Sequence, residues 1–215
     1  MGHQDFLKLS GKHILYFGDP MCSWCWGFSA TFKHIIELVA DQGEVHMIMT
    51  GLRPHTSQAW DDELRFYIRQ HWQTVAQETG QSFDFSRFED ADFIYNTEPA
   101  CRALVAARTL DSKLSFSFFE ALQHHFYALG EDITKQDVLV SILHKFSLDQ
   151  AAFEALFQQI STQDQTQADF KLAKDFNVTG YPSVLLLENG QVQVLTRGYQ
   201  TFESLRPRLQ EWLND

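Results

Sequence analysis

The stretch that decides the fold runs from His13 to Phe28 and has the sequence HILYFGDPMCSWCWGF. Its first part, residues 13–18, is a short apolar run that stops at Asp19-Pro20, which predicts a buried β-strand. Its second part holds a CxxC motif formed by Cys22 and Cys25, and apolar residues recur at helical spacing after it. The two cysteines therefore lie where a strand ends and a helix begins.

The rest of the chain alternates between strand-like and helical patterns. Residues 44–51 form a second strand-like run, so residues 13–51 are interpreted as a βαβ unit with two parallel strands. The chain ends in two further strands, joined by the hairpin signal Asn189-Gly190, and an amphipathic helix that begins near Thr201. Pro207 should kink that helix or delay its start.

These patterns predict an α/β protein whose central mixed sheet is flanked by helices. Residues 1–58 should form a βαβ part that carries the CxxC motif, and residues 166–215 should form an αββα part that completes the same core. Between them, residues 59–165 repeat their apolar positions only at helical spacing, which predicts an all-helical insertion.

Composition and charge restrict the function classes. Of the 215 residues, 44% are hydrophobic and 21% are charged, which is typical of a globular protein. The formal net charge of −11 disfavours nucleic acid and anionic membranes as partners. Residues 1–12 contain no apolar run like a signal-peptide core, so the expected location is cytoplasmic.

The CxxC motif suggests disulfide chemistry. At a helix start, unpaired N–H groups and the positive end of the helix dipole stabilise a thiolate on the first cysteine, Cys22. Cys25 lies one turn further into the helix and can attack a mixed disulfide on Cys22, which is the resolving step of thiol exchange.

A metal site and a structural disulfide are the alternatives for this motif. Zinc and iron–sulfur sites use about four ligands, whereas the chain offers one further cysteine, Cys101, and no second CxxC or HxxxH. We therefore expect no metal and no bound cofactor. Cys101 lies among small residues on a predicted helix and should behave as a buried apolar residue. A structural disulfide stays open, although such bonds in cytosolic proteins are usually catalytic or redox-sensing.

A second motif, Gly180-Tyr181-Pro182, precedes the third strand. Proline is tolerated at a strand start, and a cis peptide bond there would form a tight turn. Such a loop can offer unpaired backbone groups to an extended peptide, although X-Pro before a strand is more often an ordinary turn. Trp24 and Trp26 could add an apolar rim for substrates, with a core position as the alternative for Trp26.

Two charged residues are further candidates. Asp19 could relay a proton to Cys25, but aspartate before proline commonly forms a turn. Arg53 could bind a substrate carboxylate, whereas a solvated surface charge is the more common role for such a residue.

The chain resembles the DsbA-like thioredoxin proteins, in particular the FrnE-like cytoplasmic predicted protein-disulfide isomerases. The resemblance lies in residues 19–28 (DPMCSWCWGF), in residues 96–102 (NTEPACR), in the helical insertion and in Gly180-Tyr181-Pro182. It implies a thioredoxin core split by a helical domain, redox-active Cys22 and Cys25, and a cis Tyr181-Pro182 bond that faces them.

The resemblance also shapes the functional alternatives. The dipeptide between the cysteines is Ser-Trp, unlike the Pro-His of strongly oxidising periplasmic relatives. The related kappa-class glutathione transferases and chromene-carboxylate isomerases have serine where this chain has Cys22. We expect a thiol–disulfide oxidoreductase or isomerase that acts on protein or peptide thiols and disulfides, with glutathione as a further candidate partner. A glutathione-dependent transferase or isomerase and a peptide-binding chaperone without turnover are the alternatives.

Overall fold

A computed structural model describes residues 1–214. Within that range, the strands are β1 (Lys12–Gly18), β2 (Glu44–Met49), β3 (Ser183–Glu188) and β4 (Gln191–Arg197). The α-helices of the same range are α1 (His3–Phe6), α2 (Ser23–Val39), α3 (Asp62–Thr79), α4 (Glu98–Leu110), α5 (Ser115–Tyr127), α6 (Gln136–Leu143), α7 (Gln150–Gln158), α8 (Ile160–Asp175) and α9 (Phe202–Asn214). None of these described helices has the length and apolar character needed to cross a bilayer.

The four strands form one mixed sheet in the order β2-β1-β3-β4. β1 and β2 are parallel, whereas β1 pairs with β3 and β3 with β4 in antiparallel fashion. Asn189 and Gly190 connect β3 to β4 with φ values of 48° and 82°, the left-handed backbone that a tight two-residue hairpin requires. The predicted mixed sheet is confirmed.

The helix α2 begins directly at the CxxC motif. Cys22 is its N-cap, with extended backbone angles, and the Cys22 carbonyl accepts a hydrogen bond from the backbone N–H of Trp26 at 3.1 Å. Its apolar stripe is fully buried at Phe28, Phe32 and Ile35. This buried face anchors the helix beside β1 and thereby holds the two cysteines at the carboxyl end of the strand.

The predicted insertion shares its core with the sheet. One continuous apolar cluster includes Tyr16 of β1, Phe32 of α2 and Phe119 of α5, and the ring of Tyr16 lies 4.2 Å from that of Phe32 and 5.6 Å from that of Phe119. A smaller cluster covers the opposite face of the sheet, where Phe176 packs on Phe17. Helices of the insertion thus form one wall of the region around the motif.

Two details differ from the sequence expectations. The predicted boundary between residues 165 and 166 falls inside α8, which runs unbroken from Ile160 to Asp175 and buries Thr162, Thr166 and Phe170 along one face. That helix belongs to both sides of the boundary, and the three-part division stays a prediction. Pro207 lies inside α9 and does not delay its start at Phe202.

Candidate active site

Cys22 lies at the first turn of α2 and faces the loop that precedes β3. The residue is 7% exposed, and its Sγ lies 3.9 Å from the backbone carbonyl oxygen of Tyr181. Its own N–H donates to the Asp19 carbonyl at 3.0 Å, which closes the turn between strand and helix. The thiolate expected at this position from the helix start stays a prediction.

Cys25 lies beneath Cys22 and is fully buried. Burial raises the pKa of the Cys25 thiol well above its ordinary value, and the neighbouring Cys22 raises it further. A hydrogen bond from the Tyr16 side chain acts in the opposite direction. All three cysteines are free thiols in the structure. The two thiols of the motif therefore differ in accessibility, since only Cys22 has any solvent exposure.

The loop with Gly180, Tyr181 and Pro182 lies directly opposite Cys22. The Tyr181-Pro182 peptide bond is cis. Pro182 is buried, and its carbonyl accepts a hydrogen bond from the N–H of Gly198 at 2.7 Å. Gly180 and Tyr181 are half-buried and line the cavity beside the thiol. The structure thus brings together four residues that the sequence analysis singled out, namely Cys22, Cys25, Tyr181 and Pro182.

A cavity of about 350 Å³ opens beside Cys22, a size in the usual range of small-ligand sites. One wall comes from the loop before β3, with Thr179, Gly180 and Tyr181, and another from Ser23 and Trp24. The helix α3 supplies the third wall through Tyr67, Ile68, His71 and Trp72, and the segment after β2 adds Leu52 and Arg53. The cavity can therefore hold part of a thiol or disulfide substrate against Cys22.

Arg53 is part of this cavity. It is half-buried, and its guanidinium lies 5.9 Å from the ring centre of Tyr95. Both roles considered for this residue, carboxylate binding and a solvated charge, stay predictions. The fold places this cation on the same cavity as Cys22, because the chain passes over the site directly after β2.

Trp72 is a lining residue that the sequence analysis did not identify. It is 1% exposed, and its indole N–H has no hydrogen-bond partner among residues 1–214. The helical spacing of apolar residues within 59–165 does not single out Trp72, and only the packing of α3 shows that it lines the cavity.

The two tryptophans of the motif have different environments. Trp24 is half-buried, lines the cavity and lies 5.7 Å from the ring of Tyr199. Trp26 is 5% exposed, stacks on Tyr127 and donates its indole N–H to the Ser82 carbonyl at 3.1 Å. Trp26 is therefore a core residue, and of the two tryptophans only Trp24 lines the cavity.

Asp19 is fully buried, and burial raises the pKa of its carboxyl group. The carboxylate accepts from the N–H of Met21 at 2.8 Å and from the N–H of Leu52 at 2.7 Å, both of which lower that pKa. Within residues 1–214 no hydrogen bond joins the Asp19 carboxylate to Cys25. A proton relay between the two stays a prediction.

Cys101 is more than a buried apolar residue. Its thiol donates to the Asp19 carboxylate at 3.4 Å, and burial followed by the charge of Asp19 raises the Cys101 pKa well above its ordinary value. The sequence analysis missed this contact because 82 positions separate the two residues.

Comparisons with known proteins identify the family of the chain. A family model described as the DSBA-like thioredoxin domain matches residues 13–210, and the chain belongs to this family. A proposed protein disulfide isomerase from Nitrosomonas europaea has 31% sequence identity and a TM-score of 0.90, over 95% of this chain and 98% of that one.

Two further relatives extend the comparison. The cytosolic disulfide reductase DsbM from Pseudomonas aeruginosa is 25% identical with a TM-score of 0.78, over 94% of this chain and 98% of its own. DsbM has also been solved with GSH. The ClpXP adapter protein SpxH from Bacillus subtilis is 23% identical over 80% of this chain, which spans only 56% of SpxH. The fold and these structural relatives are in general those of thiol–disulfide oxidoreductases.

Proposed function

We propose that this chain, as a member of the DSBA-like thioredoxin domain family, exchanges thiols and disulfides of proteins or peptides through Cys22 and Cys25. The observation that carries the proposal is the position of Cys22. Its sulfur lies at the start of α2, opposite the Tyr181 carbonyl at 3.9 Å, and Cys22 lines a cavity. A substrate disulfide in that cavity would meet the one cysteine of the three with any solvent exposure.

The exchange would proceed in two balanced steps. The Cys22 thiolate attacks one sulfur of the substrate disulfide, so a mixed disulfide forms and the other substrate sulfur leaves as a thiolate. Cys25 then loses its proton, which the leaving thiolate can accept, and attacks the sulfur of Cys22. The Cys22–Cys25 disulfide forms, and the substrate leaves with both sulfurs reduced. Because burial raises the pKa of Cys25, it stays a thiol until a mixed disulfide needs resolution.

We propose a cytoplasmic location, which the cytosolic description of DsbM supports. In a reducing cytosol the dithiol form of the pair would be the resting form. Reduction and isomerisation both begin from that form, whereas oxidation of substrates would need the disulfide form. The measured reduction potential of the pair decides between these directions.

Cysteine variants test the proposal. The Cys22→Ser protein should lose the reduction of insulin disulfides, and Cys25→Ser should accumulate mixed disulfides that mass spectrometry can identify. Cys101→Ala is the matched control, since it removes a buried thiol outside the motif, and it should leave both properties nearly intact. Insulin reduction by Cys22→Ser would refute the proposal. Peptide binding without turnover in all variants would favour a chaperone, and conjugation of glutathione to electrophiles would favour a transferase.

The cavity also favours glutathione as a thiol partner. Glutathione carries two carboxylates at its ends, and Arg53 provides a guanidinium that suits carboxylate binding. The solved complex of DsbM with GSH supports this choice.

Substitution of Arg53 tests the glutathione assignment. Arg53→Gln should raise the KM for glutathione about tenfold, the equivalent of about 1.4 kcal/mol, because it removes one charged contact. The control is Arg69→Gln, an exposed arginine on α3 outside the lining of the cavity. An unchanged KM in Arg53→Gln would contradict the role of Arg53 and would leave the exchange at Cys22 intact.

A further inference from the structure

Three side chains with metal-binding atoms converge at the amino ends of β1 and β2. His13 begins the buried part of β1 and pairs in register with Glu44, the first residue of β2. His46 lies two residues after Glu44, and alternate residues of a strand point to the same face. The Nδ1 of His13 lies 3.1 Å from the Nε2 of His46. The nearest Glu44 carboxylate oxygen lies 3.8 Å and 3.9 Å from these two nitrogens.

The hydrogen bonds of His13 determine which nitrogen is available as a ligand. Its Nε2 lies 3.1 Å from the Ser10 carbonyl oxygen. A carbonyl oxygen can only accept, so this contact requires the proton on Nε2 and leaves the lone pair of Nδ1 directed at His46. Metal-bound histidines in proteins are usually held in this way, with the second ring nitrogen donating to a carbonyl or a carboxylate.

The spacing suits a zinc ion. Two ligands about 2.1 Å from a tetrahedral zinc lie about 3.4 Å apart, close to the observed separation of the two histidine nitrogens. The Glu44 oxygen needs to move inward by only a fraction of an ångström. The Glu44 side chain is 75% exposed and free to do so, whereas those of His13 and His46 are 6% and 23% exposed. The ring of Phe6 packs edge-on against His46 at 5.2 Å and restricts its orientation.

We propose that His13, Glu44 and His46 bind a zinc ion that links β1 to β2. Two imidazoles and one carboxylate are a known protein ligand set for zinc, with a fourth position left for water. Calcium and magnesium prefer oxygen ligands alone, so they suit this set poorly. The sequence analysis expected no metal, because 33 positions separate the two histidines and only the pairing of β1 with β2 brings them together.

This site is distinct from the CxxC motif. His13 lies five residues before Gly18, which places it about 17 Å along β1 from the end that leads to Cys22. Zinc also binds dithiols, so the test needs a background without the motif. The Cys22→Ser/Cys25→Ser double variant provides it and leaves the histidine cluster unchanged.

Zinc titration against a chromophoric chelator tests the proposal. The double variant should bind one equivalent of Zn²⁺, and adding His46→Gln should weaken that binding at least tenfold. His34→Gln is the matched control, because His34 forms an exposed histidine–glutamate pair with Glu37 on α2, 3.2 Å apart and outside the cluster. This substitution should leave the zinc affinity unchanged. Equal losses of zinc affinity in His46→Gln and His34→Gln would overturn the proposal. The absence of stoichiometric zinc binding in the Cys22→Ser/Cys25→Ser protein would also overturn it.

A second measurement needs no substitution in the cluster. Addition of Zn²⁺ to the double variant should shift the imidazole nitrogen resonances of His13 and His46 in the NMR spectrum and leave that of His34 in place. Cobalt(II) in the same protein should give visible absorption without the near-ultraviolet band of thiolate coordination. If Zn²⁺ leaves the imidazole resonances of His13 and His46 unchanged, these side chains only form a hydrogen bond between the strands, and the zinc site is refuted.

Discussion

Replacing Asp169 with asparagine should lower the free energy of unfolding by about 2–4 kcal/mol. Asp169 of α8 accepts two hydrogen bonds from the guanidinium of Arg108 on α4, at 2.7 and 2.8 Å. It also accepts one from the backbone N–H of Met49 in β2 at 3.0 Å. Arg108 in turn donates to the Met47 carbonyl at 2.7 Å. This ion pair therefore connects two helices to the edge strand of the sheet.

The magnitude follows from the number of donors around the carboxylate. Asparagine keeps the shape of Asp169 but has a single acceptor oxygen, so its NH₂ group must face at least one of the three donors. A hydrogen bond to a charged group contributes about 1.5–3 kcal/mol, and breaking one side of a buried ion pair costs about 3–5 kcal/mol. The Arg108 side chain is 24% exposed, and solvent screening reduces the upper figure to about 4 kcal/mol.

Urea unfolding followed by circular dichroism measures this loss. The control is Lys171→Gln, which breaks the exposed ion pair with Asp175 on the same helix and should cost at most about 0.5 kcal/mol. A double-mutant cycle with Arg108→Gln should give a coupling energy of at least about 1 kcal/mol. If Asp169→Asn costs no more than Lys171→Gln, the ion pair does not hold α4 and α8 to the sheet.

Three further measurements address the candidate site. Iodoacetamide near neutral pH should label Cys22 first by peptide mapping, because burial raises the pKa of Cys25 and Cys101; faster labelling of Cys101 would contradict this. Reduction of the Cys22–Cys25 disulfide should increase tryptophan emission, because a disulfide quenches fluorescence on contact. The Trp24→Phe substitution should remove most of this change. Equal emission in both redox states would show that neither Trp24 nor Trp26 lies near the sulfurs. Burial raises the pKa of Asp19 above 3.8, so the native state holds this proton more tightly than the unfolded state. The stabilisation that this proton provides is complete below about pH 4 and is lost as the pH rises through the native pKa of Asp19. Over that pH range, the free energy of unfolding of Asp19→Asn should fall less than that of the wild type.

The local signals in the sequence were sufficient for most of the architecture. The apolar run before Asp19-Pro20 is β1, and Asn189-Gly190 is the turn between β3 and β4. The strand predicted to follow Gly180-Tyr181-Pro182 is β3, Ser183–Glu188. Such features depend on neighbouring residues alone, because backbone sterics, hydrogen bonding and apolar periodicity act over a few positions.

The candidate site was predicted in part for the same reason. Cys22 and Cys25 are one turn apart, so a dithiol at a helix start could be recognised without knowledge of the fold. Tyr181 and Pro182 were identified as a loop before a strand, but their approach to Cys22 follows from the pairing of β1 with β3. In the sequence analysis, only the family resemblance implied that Tyr181 and Pro182 face the cysteines.

By itself, then, the sequence determined the strands, the helix at the CxxC motif, the C-terminal helix and the dithiol. Only the tertiary structure decided that Arg53 lies in the cavity, that Cys101 donates to Asp19 and that His13 faces His46. The physical reason is that the residues in each pair lie far apart in the sequence. Arg53 follows Cys22 by 31 positions, His46 follows His13 by 33 and Cys101 follows Asp19 by 82. Their proximity depends on strand register and on how helices pack against the sheet, and the burial of apolar surface that drives this packing is not directional.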